Sequence, residues 1–208
     1  MAIKSEVNQN ESIDKKIETL TTNKITGSLV IYPDKSKSYR LQEGEHEGRG
    51  VFFNPEGAHT RYGLVDGKKG SLYVANTPRT SMKEVFQNIP AIKSEDLDEY
   101  YMATLVTEKK LNVVDLTLLA PKMHVTAHQL TGGDYKTTQK LAGKLSQHAD
   151  GLMYVSNVTL EPCMVLWHDD SSGKGLIRTE ELTTLSKFEF EGKIAEDILV
   201  DDLDIPVI

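Results

Sequence analysis

Three residues between Thr60 and Asn88 have the chemistry to act on a ligand: Arg61, Tyr73 and Glu84. An arginine fork pairs with two oxygens of an anion, an aromatic ring offers a stacking face, and a carboxylate stabilises positive charge. The bland alternatives are a turn arginine, a half-buried strand aromatic and a solvated helix glutamate. Other spaced sets carry less. His124 and His128 have i, i+4 spacing, but Val125 stands where a metalloprotease helix needs glutamate, so no metal is expected. No G-x-G-x-x-G follows a strand, and Ser171–Gly175 lacks the spacing of a phosphate loop. Cys163 sits in an apolar run, poorly suited to a thiolate nucleophile.

The elements around the three residues can be read from periodicity. In SLYVA, Leu72 and Val74 share one face and Tyr73 takes the other. Thr77 can cap a helix with Pro78 at its first position. Met82, Val85, Phe86 and Ile89 recur as its buried face, and Glu84 lies roughly opposite. Strands are expected at Ser28–Pro33, Ser38–Leu41, Leu111–Leu119 (ended by Pro121), Gly151–Val158 and Pro162–Trp167. Helices are expected at Ser94–Thr107 and Lys136–Ala149, the second with Leu141, Leu145 and His148 inward. Ile13, Ile17 and Leu20 suggest a short amphipathic helix, and KFEFEGKI in the tail alternates like a strand. The absence of regular βαβ alternation predicts α+β.

Composition bounds the function. The 208 residues, 38% hydrophobic, suffice for one domain with a sizeable core. A formal net charge of −7 argues against a nucleic-acid binder. One cysteine excludes an internal disulfide, which suits a reduced cytoplasmic setting. No apolar run is long enough to span a bilayer, and the N-terminus lacks the stretch of a secretory signal.

Taken in order, Arg61-Tyr62-Gly63-Leu64, Gly70, Leu72-Tyr73-Val74-Ala75, Thr77-Pro78 and Glu84-Val85-Phe86 resemble the core of the RES-domain family, named for an Arg, a Glu and a Ser. LNVVDLT (Leu111–Thr117) and DYKTTQKLAGKLSQHADGLMYVSN (Asp134–Asn157) continue the likeness and place the family serine at Ser156. The match runs from about Tyr39 to Trp167. It implies an ADP-ribosyltransferase-like core in which two small sheets enclose an NAD+ cleft. It also implies an N-terminal extension over residues 1–37, a catalytic domain over 38–170 and a C-terminal extension over 171–208.

The chemistry implied is cleavage of the nicotinamide–ribose bond of NAD+, as glycohydrolase or phosphorylase. Nicotinamide leaves as a neutral molecule, so no general acid is needed, and the transition state resembles an oxocarbenium ion. Glu84 would stabilise that charge, Arg61 would hold the pyrophosphate, Tyr73 would stack on nicotinamide, and Ser156 with Asn157 would orient the ribose or the amide. Arg49 and Arg40 are rival arginines. The alternatives are a mono-ADP-ribosyltransferase acting on a protein and a non-catalytic interaction domain. The family also implies a partner, an antitoxin or immunity protein that occludes the site, and a second copy of the chain is a further candidate. The acidic tail, with Asp197, Asp201, Asp202 and Asp204, is either a solvated end or a self-inhibiting cover over an arginine-lined cleft.

Overall fold

A computed structural model describes residues 13–132 and 134–208. Helix α1 covers residues 13–18, followed by α2 (Thr22–Thr26) and strands β1 (Leu29–Tyr32) and β2 (Lys37–Glu43). Strand β3 (Gly70–Ala75) leads into α3 (Pro78–Phe86), then β4 (Tyr100–Thr107) and β5 (Leu111–Asp115). Helices α4 (Leu116–Lys122), α5 (Ala127–Thr131) and α6 (Tyr135–Leu145) precede β6 (Gly151–Val155), β7 (Pro162–His168) and β8 (Ile177–Thr184). A hairpin of β9 (Glu189–Phe190) and β10 (Lys193–Ile194) leads to α7 (Ala195–Asp197), which continues as a wider helical turn through Asp202.

Eight strands form one sheet in the order β1-β5-β6-β7-β3-β2-β4-β8. All neighbours are antiparallel except β5 and β6. The sheet is nearly split in two. β3 pairs with β7 along six positions, and β2 pairs with β4 along seven, but β2 and β3 meet only at Tyr39↔Ala75. That single joint is where two expected half-sheets are hinged into one. Ser28–Pro33 supplies the edge strand β1, and the other edge, β8, lies beyond Ser171, so the sheet draws on both segments assigned to extensions.

Three apolar clusters hold the layers. The first packs α1, α4 and α6 on one half-sheet through Ile17, Leu119, Leu141, Leu145 and Trp167. The second joins α3 to β2, β4 and the tail through Met82, Phe86, Met102, Ile198 and Leu199. The third covers the sheet face opposite the first cluster with Phe53, Leu72, Val74, Leu105 and Leu166. Ile13, Ile17 and Leu20 are all buried in the first cluster, so the described part of the N-terminal segment belongs to the folded body.

Several elements differ from expectation. Ser94–Thr107 is not a helix: a 3₁₀ segment at Ser94–Glu99 runs straight into β4. YYMATLVT is rich in β-branched and aromatic residues, and pairing with both β2 and β8 buries it. The run Leu111–Leu119 changes from strand to helix at Asp115, whose carboxylate accepts the Thr117 N–H at 2.7 Å and caps α4. Pro121 then lies in the last turn of α4 rather than ending a strand. Val85 is 42% exposed, whereas Met82 and Phe86 are buried in the second cluster and Ile89 packs against it. His148 points outward beyond the C-terminus of α6. Strand β8 is mostly polar and only partly covered, as suits a sheet edge that must not pair with another chain.

Candidate active site

The helix carrying Glu84 is anchored at its start. Thr77 accepts the Thr80 N–H at 3.2 Å, and Pro78 takes the first position. The Thr77 and Thr80 hydroxyls both donate to the Glu161 carboxylate at 2.5 Å. Those two bonds hold Glu161 below the usual carboxylate range. The β6–β7 turn is thereby fastened to the N-terminus of α3.

The same turn reaches Glu84. The Ser156 hydroxyl donates to Glu84 Oε1 at 2.7 Å and accepts the N–H groups of Val158 and Thr159 at 3.1 and 3.2 Å. Its single proton therefore has one direction, toward the carboxylate. Ser156 is 1% exposed, so it faces Glu84 rather than open space. Removing this bond should cost about 10–10²-fold in kcat, the typical worth of a hydrogen bond to a charged group. In Ser156→Ala we expect that loss with KM nearly unchanged, measured well below the melting temperature because two backbone amides also lose an acceptor.

Glu84 lines a cleft of about 310 Å³ together with Arg61, Tyr73, Tyr154 and Asn157. A second hollow of about 240 Å³ shares Tyr73, Glu84 and Tyr154 and opens along the β2–β3 joint past Leu41 and Val85. Thus the cleft lies where the sheet is least paired, and backbone that would otherwise be sealed in a ladder borders open space.

Arg61 sits on a loop fixed from below. Gln139, 9% exposed, donates its amide to the carbonyls of Gly57, Ala58 and Thr60 at 3.1, 3.0 and 2.9 Å. Thr138 donates to the Arg61 carbonyl, and the Trp167 indole N–H to the Tyr62 carbonyl at 3.0 Å. A Cβ on Gly63 would stand 2.2 Å from the Gly57 carbonyl oxygen, so only glycine permits this close return of the chain. The loop is rigid while the Arg61 side chain is half exposed and makes no ion pair among the described residues. An arginine held by its backbone, with its fork open to a cleft, is arranged for an incoming anion.

Tyr73 is positioned by its hydroxyl, which accepts the Tyr62 N–H at 2.8 Å, and burial raises its pKa. Tyr154 was not singled out by sequence. Burial pushes its hydroxyl well above the usual tyrosine range, with Cys163, Tyr73 and Glu84 beside it. Its ring lies 5.2 Å from that of Tyr62. The signal was available: two-residue alternation back from Ser156 puts Tyr154 on the same face. Burial likewise pushes the Cys163 thiol up to about 12, so it stays protonated at neutral pH.

Asn157 borders the cleft, its Oδ1 accepting the Thr131 hydroxyl at 3.3 Å. Arg49 does not border it. Arg49 lines a separate hollow and pairs with Glu47 at 2.7 Å. Arg40, on β2, donates to the Gly50 carbonyl at 3.0 Å and borders both the second hollow and the one that holds Arg49. Among the described residues no three His, Cys, Asp or Glu side chains converge, and no helix is long and apolar enough to cross a membrane.

No curated protein matches the sequence significantly. Among solved structures, the crystal structure of the M. tuberculosis MbcT–MbcA toxin–antitoxin complex contains a chain of similar fold, with a TM-score of 0.59 at 16% identity, covering 84% of this chain and 92% of that one. The mixed α/β architecture with its large curled sheet is therefore the ADP-ribosyltransferase-like one that the motif order implied. A family model described as the RES domain matches residues 39–184, a span that includes Arg61, Tyr73, Glu84 and Ser156, and the chain belongs to that family.

Proposed function

We propose that this chain degrades NAD+ by breaking the bond between nicotinamide and C1′ of its ribose. The observation that carries the proposal is the Glu84 carboxylate, fixed by Ser156 on the wall of a cleft that also presents Tyr73 and Arg61, which makes no ion pair among the described residues. As the C1′–N bond breaks, its electron pair returns to the pyridine nitrogen and neutralises nicotinamide. Positive charge moves to the ribose, where the Glu84 carboxylate opposes it. Tyr73 and Tyr154 flank that carboxylate with aromatic surface for the nicotinamide ring. Arg61 offers two parallel N–H groups to the diphosphate. An oxygen nucleophile, water or phosphate, then forms the new bond at C1′ and releases its proton to solvent.

The toxin–antitoxin complex that contains the similar fold supports a second part of the proposal. An enzyme that destroys NAD+ harms the cell that makes it, and a partner protein seated over the cleft would restrain it. The test of the catalytic reading is incubation of the purified protein with NAD+ and measurement of free nicotinamide, with and without inorganic phosphate. We expect nicotinamide release. A phosphate-dependent rate and a phosphorylated ADP-ribose product identify a phosphorylase; a phosphate-independent rate with free ADP-ribose identifies a glycohydrolase. Label carried onto protein instead would assign the transferase, and no release under any condition would remove the reading.

A further inference from the structure

Glu161 stands where two elements of the site cross. Its backbone carbonyl accepts the Ser156 N–H at 2.8 Å, and its carboxylate reaches α3. On that helix Thr77, Thr80 and Glu84 recur at i, i+3 and i+7. They share one face, turned away from Met82 and Phe86. The β6–β7 turn is tied to this face twice. Glu161 accepts the Thr77 and Thr80 hydroxyls at its start, and Ser156 donates to Glu84 one helical turn after Thr80. The links close a ring: Thr80 to Glu161, Glu161 to Ser156, Ser156 to Glu84, and the helix back to Thr80.

The turn has little else to hold it. Among the described residues, none from Asn157 to Leu160 joins an apolar cluster. Leu160 is 78% exposed and has a left-handed backbone, φ 61°, which a leucine keeps only where its surroundings impose it. What imposes it is polar: the Leu160 N–H donates to the Ser156 carbonyl at 3.1 Å, beside the bond from Ser156 to Glu161. The Thr159 and Thr80 hydroxyls, 3.0 Å apart, add a neutral contact. Away from Glu84, the contacts of Glu161 are the charge-assisted ones, and such bonds are about twice as strong as neutral ones. The Thr77 and Thr80 hydroxyls hold that carboxylate below the usual range, so it is charged at neutral pH. Its place at the start of α3 also puts a negative charge at the favourable end of the helix dipole.

We infer that Glu161 is a positioning residue for the reaction: by gripping Thr77 and Thr80 it sets where Ser156 stands, and through Ser156 it aims the Glu84 carboxylate. It touches no substrate. The inference rests on the reading of Glu84 as the group that opposes charge on the ribose.

The test is a double-mutant cycle in nicotinamide release. Glu161→Ala should lower kcat on the order of tenfold, less than the ~10²-fold of a full 1 Å misplacement, with KM within about twofold of the parent. Glu161→Gln should recover most of that loss, because its amide oxygen can still accept both hydroxyls. In a Ser156→Ala background Glu161→Ala should cost nothing more, since the group it acts through is gone. A carboxylate that merely stabilised the fold would lower the melting temperature and leave this pattern absent. Thr80→Val removes one donor from the opposite side and goes through the same cycle, which keeps the test open where Glu161→Ala melts below the assay temperature. A second readout needs no turnover: the carboxyl carbon resonance of Glu84, assigned by its loss in Glu84→Gln, should move in the same direction in Ser156→Ala and Glu161→Ala. An unchanged kcat in folded Glu161→Ala, a loss that multiplies with that of Ser156→Ala, or an unmoved Glu84 resonance each overturns the positioning role. The two readings fail separately. A parent protein that releases no nicotinamide removes the cleavage reading, while the resonance still decides whether Glu161 aims Glu84.

Discussion

Glu84→Gln should lower kcat for nicotinamide release by about 10²–10³ while leaving the fold and KM nearly unchanged. The substitution is close to isosteric. The amide oxygen can still accept the Ser156 hydroxyl, which the carboxylate accepts at 2.7 Å, so the packing of the turn against α3 is retained. Only the charge is lost. That charge matters little to the ground state, where NAD+ already carries its positive charge on the pyridine ring, and much to the transition state, where the charge has moved to the ribose. An effect on kcat rather than KM is therefore the signature of the role. Glu84→Asp supplies the geometric control. It keeps the charge but withdraws it by about one methylene, and a misplacement of that size costs about 10²-fold in a pre-organised site. A folded Glu84→Gln protein with unchanged kcat would remove Glu84 from the reaction.

How much of this could be read from sequence depended on whether the signal was local. Thr77 and Pro78 announced the start of α3, and both serve there as cap and first residue. The alternation Leu72–Tyr73–Val74 separated the cleft face of β3 from its core face correctly, because a strand's period is a local property. The site's organisation was not local. Ser156 looked like a group for the substrate, but its hydroxyl is committed to Glu84 by two backbone N–H bonds that exist only in the folded turn. Arg49 and Arg61 are equivalent as isolated arginines; Glu47 beside one and an anchored loop beneath the other distinguish them. The helix expected over Ser94–Thr107 failed because EDLDE favours helical turns while the residues after it are claimed by two flanking strands. Strand β8 has few apolar residues to betray it, and the single-pair joint between β2 and β3 has no sequence signature at all.

Ending the chain after Lys193 should abolish cooperative folding, and activity with it. A self-inhibiting tail would predict the opposite, a more active enzyme, so the sign of the result decides between them. The tail is built into the second core. Ala195, Ile198, Leu199, Leu203 and Ile205 are all buried, and they pack with Met82 and Phe86 of the helix that carries Glu84. Lys83 of that helix donates to the Leu203 carbonyl at 2.6 Å. The last residues pair with the chain beyond α3, where Ile92 donates to Pro206 at 2.9 Å and Ile208 donates to Ile92 at 3.0 Å. Of the acidic residues expected to cover the cleft, Asp202 is occupied elsewhere, accepting from Arg79 at 2.8 Å and from Lys193 at 2.6 Å. No tail residue lines the cleft. Burying each large aliphatic side chain contributes about 1.5–3 kcal/mol, so losing Ile198, Leu199, Leu203 and Ile205 forfeits roughly 6–12 kcal/mol. That is comparable to the whole stability of a typical domain, about 5–15 kcal/mol. The exposed ion pairs, by contrast, are worth about 0–1 kcal/mol each, so Asp202→Asn should shift the melting temperature only slightly and leave nicotinamide release intact. Thermal melts followed by circular dichroism make the comparison. A truncated protein that still melts sharply within a few degrees of the parent, and cleaves NAD+ faster, would show that the tail restrains the site rather than buttressing the helix that bears Glu84.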